Sequence, residues 1–466
     1  MGSYTVPSTI RRIVIIGAGP TGIAFAKFLL AEKTFDQIDI FEQRTRVGGV
    51  WNWSEPRLSK HIPIPQTDPR YGQQQGLMCY AEKPFSEDDP LFPSHERVLE
   101  YLDEYAGGIK HLISFQHQVE DIRRENEAWS LRVRDLETGN ASGRHFDAIV
   151  VANGHYTVPN VPAIDGLKAW EQAYPGSVIH SKAYRRPEDY LDKKVLVVGN
   201  KASGLDISYQ IAQKAQKPVL MSARSPSALS AGTPPDWRRD IEEVVEFLPP
   251  AQHNRAVRCR SGHIEEGIDA VVFCTGYFYS LPMLSNIQPP LVTDGLRIRG
   301  LFKDLFHIQH PSLVLPVINT MVLPFSLAEN QAAVVARVWA GRLELPSKDV
   351  MRRWEADTIE ANGPGKYFHL KRFPDDVAQL NELYDWAKSA NAVHGLENDG
   401  EGKLGSRRSR EMVWIRSQFA SIKSAFNAKG EQRKSIRELS ELGFDYEDWL
   451  RTSTEEDRQM FTTALC

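Results

Sequence analysis

Cysteine is scarce in this chain. Cys79, Cys259, Cys274 and Cys466 are scattered over 466 positions with no CxxC pair. That excludes a disulfide framework and suits a reducing compartment. Long hydrophobic runs are missing too. No stretch approaches the roughly 18 apolar residues of a membrane-spanning helix, so no membrane anchor is expected. Met1–Thr9 lacks the apolar core of a secretory signal, and the default expectation is a cytoplasmic protein. Charge of one sign is not in excess: 56 Lys and Arg against 60 Asp and Glu leave −4. Nothing there suggests a nucleic-acid partner. No group of His, Cys and acidic residues has metal-ligand spacing, so no metal is expected. What remains, 41% hydrophobic and 25% charged, is the composition of an ordinary globular protein. The length calls for two or three domains.

Two glycine-rich stretches stand out. The apolar strand ending at Ile16 opens into Gly17-Ala18-Gly19-Pro20-Thr21-Gly22 and a helix predicted from Thr21 to about Ala31. Gly17 allows the tight turn, Gly19 lets backbone approach a pyrophosphate, and Gly22 lets helix and strand pack closely. The helix N-terminus offers free N–H groups and partial positive charge to phosphate. A second strand, Gln37–Phe41, ends at Glu42, followed by Gln43; Glu42 lies 42 − 22 = 20 positions after Gly22. An acid at that offset accepts from ribose hydroxyls. Paired glycines in Val47-Gly48-Gly49-Val50-Trp51 suit another close backbone approach to a cofactor.

The second stretch is Gly199-Asn200-Lys201-Ala202-Ser203-Gly204. It follows a strand predicted over Lys193–Gly199 and precedes a helix over Ser203–Lys214 and a strand over Pro218–Ala223. Arg224 lies 224 − 204 = 20 positions after Gly204. The first fold has an acid at this offset and the second a base. An arginine forks a 2′-phosphate, with Ser222 as a further donor. The contrast argues for FAD in the first fold and NADPH in the second. Lys201 replaces the middle glycine and is expected to meet a phosphate.

Elsewhere, Asn52–Gly76 reads as a long loop of functional or disordered character, Glu96–Ala106 as a helix, and Val119–Asp135 as strand–turn–strand. Phe146–Gly154 is a buried strand ending at Asn153-Gly154, and Val158–Pro162 a linker. Ile268–Tyr277 is a buried strand ending in Thr275-Gly276-Tyr277, and Leu313–Val317 a further strand of the first sheet. Ser326-Leu-Ala-Glu329 has the form of a capping box opening a helix through about Trp339. From Ser347 onward the chain is helical and charged, without a catalytic constellation, and reads as packing or partner surface.

Between the glycine motifs lies Tyr174-x-Gly176-x₃-His180-x₃-Tyr184, followed by Arg185. With its flanks it closely resembles the fingerprint of class B flavin-dependent monooxygenases. The Tyr184-Arg185 ending is similar to flavin-containing monooxygenases proper, of the kind without a membrane anchor, rather than to Baeyer–Villiger relatives. Glu42 with Gly48-Gly49-Val50-Trp51, Thr275-Gly276-Tyr277, and Pro324…Glu329-Asn-Gln331 resemble further family motifs. The resemblance covers about Arg11–Leu345.

It implies an α/β fold of two dinucleotide-binding (Rossmann-like) domains. Residues 1–166 and 284–345 would form the FAD-binding domain, 167–283 an inserted NADPH-binding domain, and 346–466 a helical C-terminal region. It implies that NADPH reduces FAD, that oxygen adds to give a C4a-hydroperoxyflavin, and that a small molecule with nucleophilic sulfur or nitrogen attacks it. Partners would be that substrate and molecular oxygen, with a homodimer compatible. His180 is expected as a hinge and hydrogen-bonding residue between domains rather than a general base, with Tyr184 beside it. Val119 and Asn153 join the expected cofactor contacts, as do Glu329 and Gln331 at the helix start beside the flavin. The family's Asn of a Thr-Asn pair falls on Gly72 here, and Gln73, Gln74 or Gln75 is expected to substitute, with Gln75 as the candidate carried forward. The alternative is a Baeyer–Villiger or other carbon-directed monooxygenase on the same scaffold. A pyridine-nucleotide disulfide reductase lacks its CxxC here; a nucleotide-binding sensor without turnover is the rival from another class.

Overall fold

The structure is a computed structural model that describes residues 3–4, 10–52, 77–227, 229 and 233–458. Two parallel sheets organise it, and their strands are the apolar runs of the sequence. Arg12–Ile16 and Ala148–Val151 are apolar on both faces because both faces are covered. They lie at the centre of a seven-stranded sheet in the order Leu301–Phe302, Phe306–His307, Leu313–Val314, Ala148–Val151, Arg12–Ile16, Gln37–Glu42, Ile113–Phe115. The last five of these run parallel. Alternation along the central strand decides the two cores. Ile13 and Ile15 pack with Phe25, Phe28, Ala332 and Val335 of the helices on one face. Val14 and Ile16 pack with Trp129 and Leu131 of a three-stranded antiparallel sheet on the other.

The second sheet has five parallel strands, ordered Val178–His180, Ala270–Phe273, Val195–Val198, Val219–Ser222, Arg238–Ile241. These strands fall between the two sequence segments that build the first sheet, so the second unit is threaded as an insertion. The outgoing and returning chains are paired: Val158–Pro159 runs antiparallel to Tyr277–Phe278. This two-stranded strap carries the crossing between the sheets.

Helices Pro20–Ala31 and Pro324–Trp339 pack against each other over the first sheet. Every residue from Phe325 to Trp339 is buried. Such a helix needs partners on all sides, and Asp375–Lys388 of the C-terminal region supplies one. A buried ion pair ties the ends: Glu32 accepts from Arg342 Nε at 2.8 Å and Nη2 at 2.7 Å.

The expected capping box is not one. The helix begins two residues earlier, with Leu323 at the N-cap and Pro324 and Phe325 ahead of Ser326. Proline at the first helical position sets φ in advance and defines the start. Ser326 and Glu329 therefore sit inside the helix. Ser326 Oγ accepts from Arg408, and the Glu329 carboxylate accepts from Ala81 N–H at 2.9 Å.

The rest of the C-terminal region is helical, at Lys348–Asn362, Asp375–Lys388, Arg410–Ser417, Phe419–Ala428 and Tyr446–Thr452. No helix among the described residues is long and apolar enough to cross a membrane.

Candidate functional site

One cleft of ≈ 1950 Å³ runs along the C-terminal edges of both parallel sheets. Its walls include Gly17, Gly19, Pro20, Thr21, Glu42, Gln43, Gly49, Val50, Trp51, Val119 and Asn153 of the first unit. Gly199, Asn200, Lys201, Ala202, Ser203, Ser222, Arg224, Thr275, Gly276 and Tyr277 of the second unit line it too. Both sequence-predicted nucleotide sites thus open into one space.

The two glycine turns are built alike. Gly17 has φ +103° and donates its N–H to Phe41 O at 2.8 Å; Gly199 has φ +108° and donates to Ser222 O at 2.8 Å. A Cβ on Gly17 would stand 2.6 Å from Ala152 O, and one on Gly199 2.5 Å from Cys274 O. Gly22 and Gly204 lie behind the turns, where a Cβ would come within 1.9 Å of Gly17 O and Gly199 O respectively. They pack helix on strand and do not line the cleft. Ala18 also stays out of it and donates its N–H to Glu42 Oε2 at 2.8 Å.

The residues before the helices, Gly19 and Lys201, share one extended backbone conformation (φ −76°, ψ −177° and φ −82°, ψ −170°). That region is open to any residue, which explains why lysine is tolerated where the first motif has glycine. Neither helix has a side-chain cap or an acid in its first turn. Their first N–H groups are left to a ligand, and the partial positive charge there favours a diphosphate.

Glu42 is 5% exposed and accepts from Ala18 N–H and, at 2.9 Å, from Arg44 N–H. Each oxygen keeps a lone pair for a ribose hydroxyl. Arg44, which sequence reasoning missed, donates to Gly49 O and to Asn52 O at 2.7 Å and so fixes the Gly48–Trp51 turn. Its signal was only its place between two recognised motifs. At the second site Arg224 pairs with Glu243, which also holds Arg260. Ser222 does not serve as the expected donor. Its hydroxyl is 1% exposed, donates to Glu242 O and accepts from Val244 N–H, each at 2.9 Å. It braces the strand end that carries Arg224.

His180 does not line the cleft. Its Nδ1 accepts from Lys182 N–H at 3.1 Å, so Nε2 carries the proton and donates to Gly276 O at 2.9 Å. Burial holds its pKa below the ordinary value. With both nitrogens engaged, the ring fixes the Thr275–Tyr277 turn and cannot act as a general base. Gly276 O also accepts from Asn160 N–H of the crossing strap at 2.9 Å, so His180 is linked to the strap through Gly276. Tyr184 is a core residue: fully buried beside Tyr190, Val195 and Ile207, with its hydroxyl 3.2 Å from Gln210 Oε1. Aromatic bulk decided its place. Gln75 lies outside the described residues.

Glu329 and Gln331 are buried away from the cleft. The Gln331 Oε1 accepts from Val317 N–H at 2.8 Å. Val317 has φ +53°, a strained setting for a β-branched residue. Gln331 thus acts on the cleft wall Val317–Val322 from behind. Glu329 has its pKa raised to about 8 by burial. Asn319 lines the cleft and donates Nδ2 to Asp304 at 2.6 Å. Asn319 Oδ1 is buried without a partner among the described residues. An orphaned acceptor on a cleft wall fits a bound ring with an N–H donor.

The C-terminal region was expected to be packing or partner surface. It forms part of the cleft through Lys366, Tyr367, Arg416, Phe419 and Lys423. The four lining carboxylates, Glu42, Glu120, Asp206 and Glu243, are all engaged by neighbouring donors. His155 is held down to about 4 by burial and by His369. Among the described residues no group of three or more His, Cys, Asp or Glu is placed to hold a metal ion.

Comparison with known proteins accords with this geometry. The family described as flavin-binding monooxygenase-like matches residues 10–232 and 251–378. A thiol-specific monooxygenase of Saccharomyces cerevisiae is 29% identical over 80% of this chain and 85% of its own length. The flavin-containing monooxygenase FMO GS-OX1 of Arabidopsis thaliana is 32% identical, covering 77% of this chain and 81% of its own. Among solved structures, an S-allyl-L-cysteine S-oxygenase from Allium sativum superposes with TM-score 0.73 at 24% identity, over 97% of this chain and 99% of that one.

Proposed function

The chain belongs to the flavin-binding monooxygenase-like family, and from that premise we propose that it oxygenates a soft nucleophile, sulfur or nitrogen, of a small molecule. It is an NADPH-dependent oxygenating oxidoreductase that takes FAD and NADPH. The observation that carries the reading is the single cleft. It joins two helix N-termini that have no side-chain cap, and the four carboxylates lining it among the described residues are all engaged. A cleft of that kind binds, orients and excludes water while its cofactors carry the reaction. FAD supplies the oxygen chemistry when bound, and NADPH supplies the hydride.

The residues divide the work. Gly17, Gly19 and the turn Gly49–Trp51 admit one diphosphate at the helix Pro20–Ala31, and Glu42 accepts from the adjoining ribose. Gly199, Lys201 and the helix Ala202–Ile211 admit the other, with Arg224 on the 2′-phosphate. His180, through Gly276, sets the angle of the turn that faces the first unit. Gln331 and Asp304 hold the wall Val317–Asn319. Residues 1–166 and 284–345 then serve FAD, and 167–283 serve NADPH.

Sulfur is the favoured atom. The yeast relative is named for thiols and the Allium neighbour for an S-oxygenation. A holoenzyme assay with NADPH, oxygen and a panel of a thiol, a thioether, a tertiary amine and a ketone tests this. Sulfoxide or oxidised thiol, or failing those N-oxide, is the expected product. Ester or lactone from the ketone alone would replace the reading with the carbon-directed alternative, and NADPH use unaffected by any of them would remove it.

A further inference from the structure

We propose that Lys366–Arg372 of the C-terminal region forms, with Lys201, an oxyanion site that clasps the diphosphate of the nicotinamide dinucleotide. The inference rests on the assignment of NADPH to the second glycine motif.

The segment is rigidly mounted. Phe368 and His369 point inward and are 0% and 1% exposed. His369 donates Nδ1–H to Asp304 at 2.7 Å and accepts Ile298 N–H at Nε2 at 3.0 Å. Thr320 N–H donates to His369 O at 3.0 Å, and Lys371 N–H donates to Thr320 O at 3.1 Å. These bonds fix the segment against the wall that also carries Asn319, itself bonded to the same Asp304. The residues on either side of the anchor face outward: Lys366, Tyr367 and Arg372 are exposed, and Lys366 and Tyr367 line the cleft with Lys201.

Of the cations in this segment, Lys371 lies 3.9 Å from the Asp304 carboxylate. Lys366 Nζ lies 5.0 Å from the centre of the Tyr367 ring. Lys201, Lys366 and Arg372 form no ion pair with any carboxylate among the described residues. Desolvation, then Lys366 and more weakly Arg372, hold the Lys201 ammonium below its ordinary pKa against an opposing effect of Tyr367. Asp304 is engaged by His369, Asn319 and Lys371, and Asp376 by Arg416 at 2.7 Å. Cations gathered without counter-charge repel one another, and a bound anion relieves that repulsion.

Comparison of the two motifs supplies the reason for a diphosphate. In the first, Gly19 faces Gly49, with a Cβ on Gly19 reaching Gly49 Cα at 3.4 Å. A second glycine turn closes that cradle with backbone alone. At the second motif no glycine among the described residues has a Cβ position that would meet Lys201. Lys201 stands in place of Gly19, and Lys366 and Tyr367 of the mounted segment line the same cleft. A cradle of backbone N–H groups is replaced there by one of side-chain cations.

The test uses the oxidised, FAD-loaded enzyme and measures Kd by calorimetry for NADP⁺, NAD⁺ and adenosine 2′-monophosphate, which lacks a diphosphate. Lys366→Gln with Arg372→Gln should weaken NADP⁺ and NAD⁺ by the same factor, roughly five- to fiftyfold, since charge-assisted contacts at an exposed site are discounted by solvent. Adenosine 2′-monophosphate should bind unchanged, and Lys366→Arg with Arg372→Lys should restore affinity. Unchanged Kd for both dinucleotides overturns the proposal. So does an effect confined to the KM of a carboxylate-bearing sulfur substrate and absent with its neutral ester, which would give the site to the substrate. Because the readout is equilibrium binding, failure of sulfur or nitrogen oxygenation leaves it standing, and its own failure leaves that reading intact.

Discussion

Replacing Arg224 by alanine separates the two ribose sites most sharply. The guanidinium is 67% exposed, and its Nε is held by Glu243, whose side chain is 17% exposed. Both Nη groups remain for a 2′-phosphate. An exposed ion pair of this kind contributes about 0–1 kcal/mol, so its loss should leave the fold intact. A charge-assisted hydrogen bond to phosphate is worth roughly 1.5–3 kcal/mol. Discounted for exposure, roughly 1–2 kcal/mol remains, or about five- to thirtyfold. The assay is steady-state kcat/KM for NADPH and NADH on wild type and Arg224→Ala. The NADPH value should fall by that factor and the NADH value should stay. Glu243→Gln sharpens the test, because it removes a negative charge that also neutralises Arg260. NADPH preference should then hold or rise. Equal losses with both cofactors in Arg224→Ala would refute the 2′-phosphate role.

Gly22→Ala and Gly204→Ala each place a Cβ 1.9 Å from a backbone oxygen, so helix and strand must part. Flavin-to-protein ratio and Tm should both fall in Gly22→Ala, with Gly143→Ala, whose Cβ meets nothing within 4 Å, as a silent control; full flavin content and unchanged Tm would contradict the packing role. Glu329 is held at about 8 against an ordinary 4.5. Its folded pKa lies above its unfolded one, so its stabilising share is complete below the unfolded value and is lost as pH rises through the folded value. Glu329→Gln keeps an acceptor for Ala81 N–H and should gain Tm relative to wild type between about pH 5 and pH 9; a pH-independent difference would count against it. His180→Gln should raise the KM for NADPH while the shape of the kcat–pH profile stays, because neither ring nitrogen of His180 is free for proton transfer. A lost ionisation limb would restore the general base.

Much of the site was legible because its residues are chosen by local sterics. Gly17 and Gly199 need positive φ, and Gly22 and Gly204 need the absence of a Cβ, so both turns are written in the sequence. Glu42 and Arg224 follow at a fixed offset because strand, turn and helix have fixed lengths. Ser326-Leu-Ala-Glu329 misled because a capping box is a local pattern, while Pro324 had already begun the helix. Ser222 and Tyr184 carry polar groups whose partners, Glu242 O and Gln210, come from other elements. Lys366–Arg372 was not legible at all. It has no periodicity or motif, and its placement depends on His369 meeting Asp304, 65 positions away in sequence.

The central claim is that this cleft delivers one oxygen atom to a soft nucleophile. The most direct test runs the FAD-loaded enzyme with NADPH, heavy-isotope dioxygen and a small thioether, and weighs the product by mass spectrometry against NADPH consumed. The account predicts a sulfoxide carrying the heavy atom, formed one for each NADPH. NADPH consumption that yields only hydrogen peroxide, or a product whose new oxygen comes from water, would contradict it.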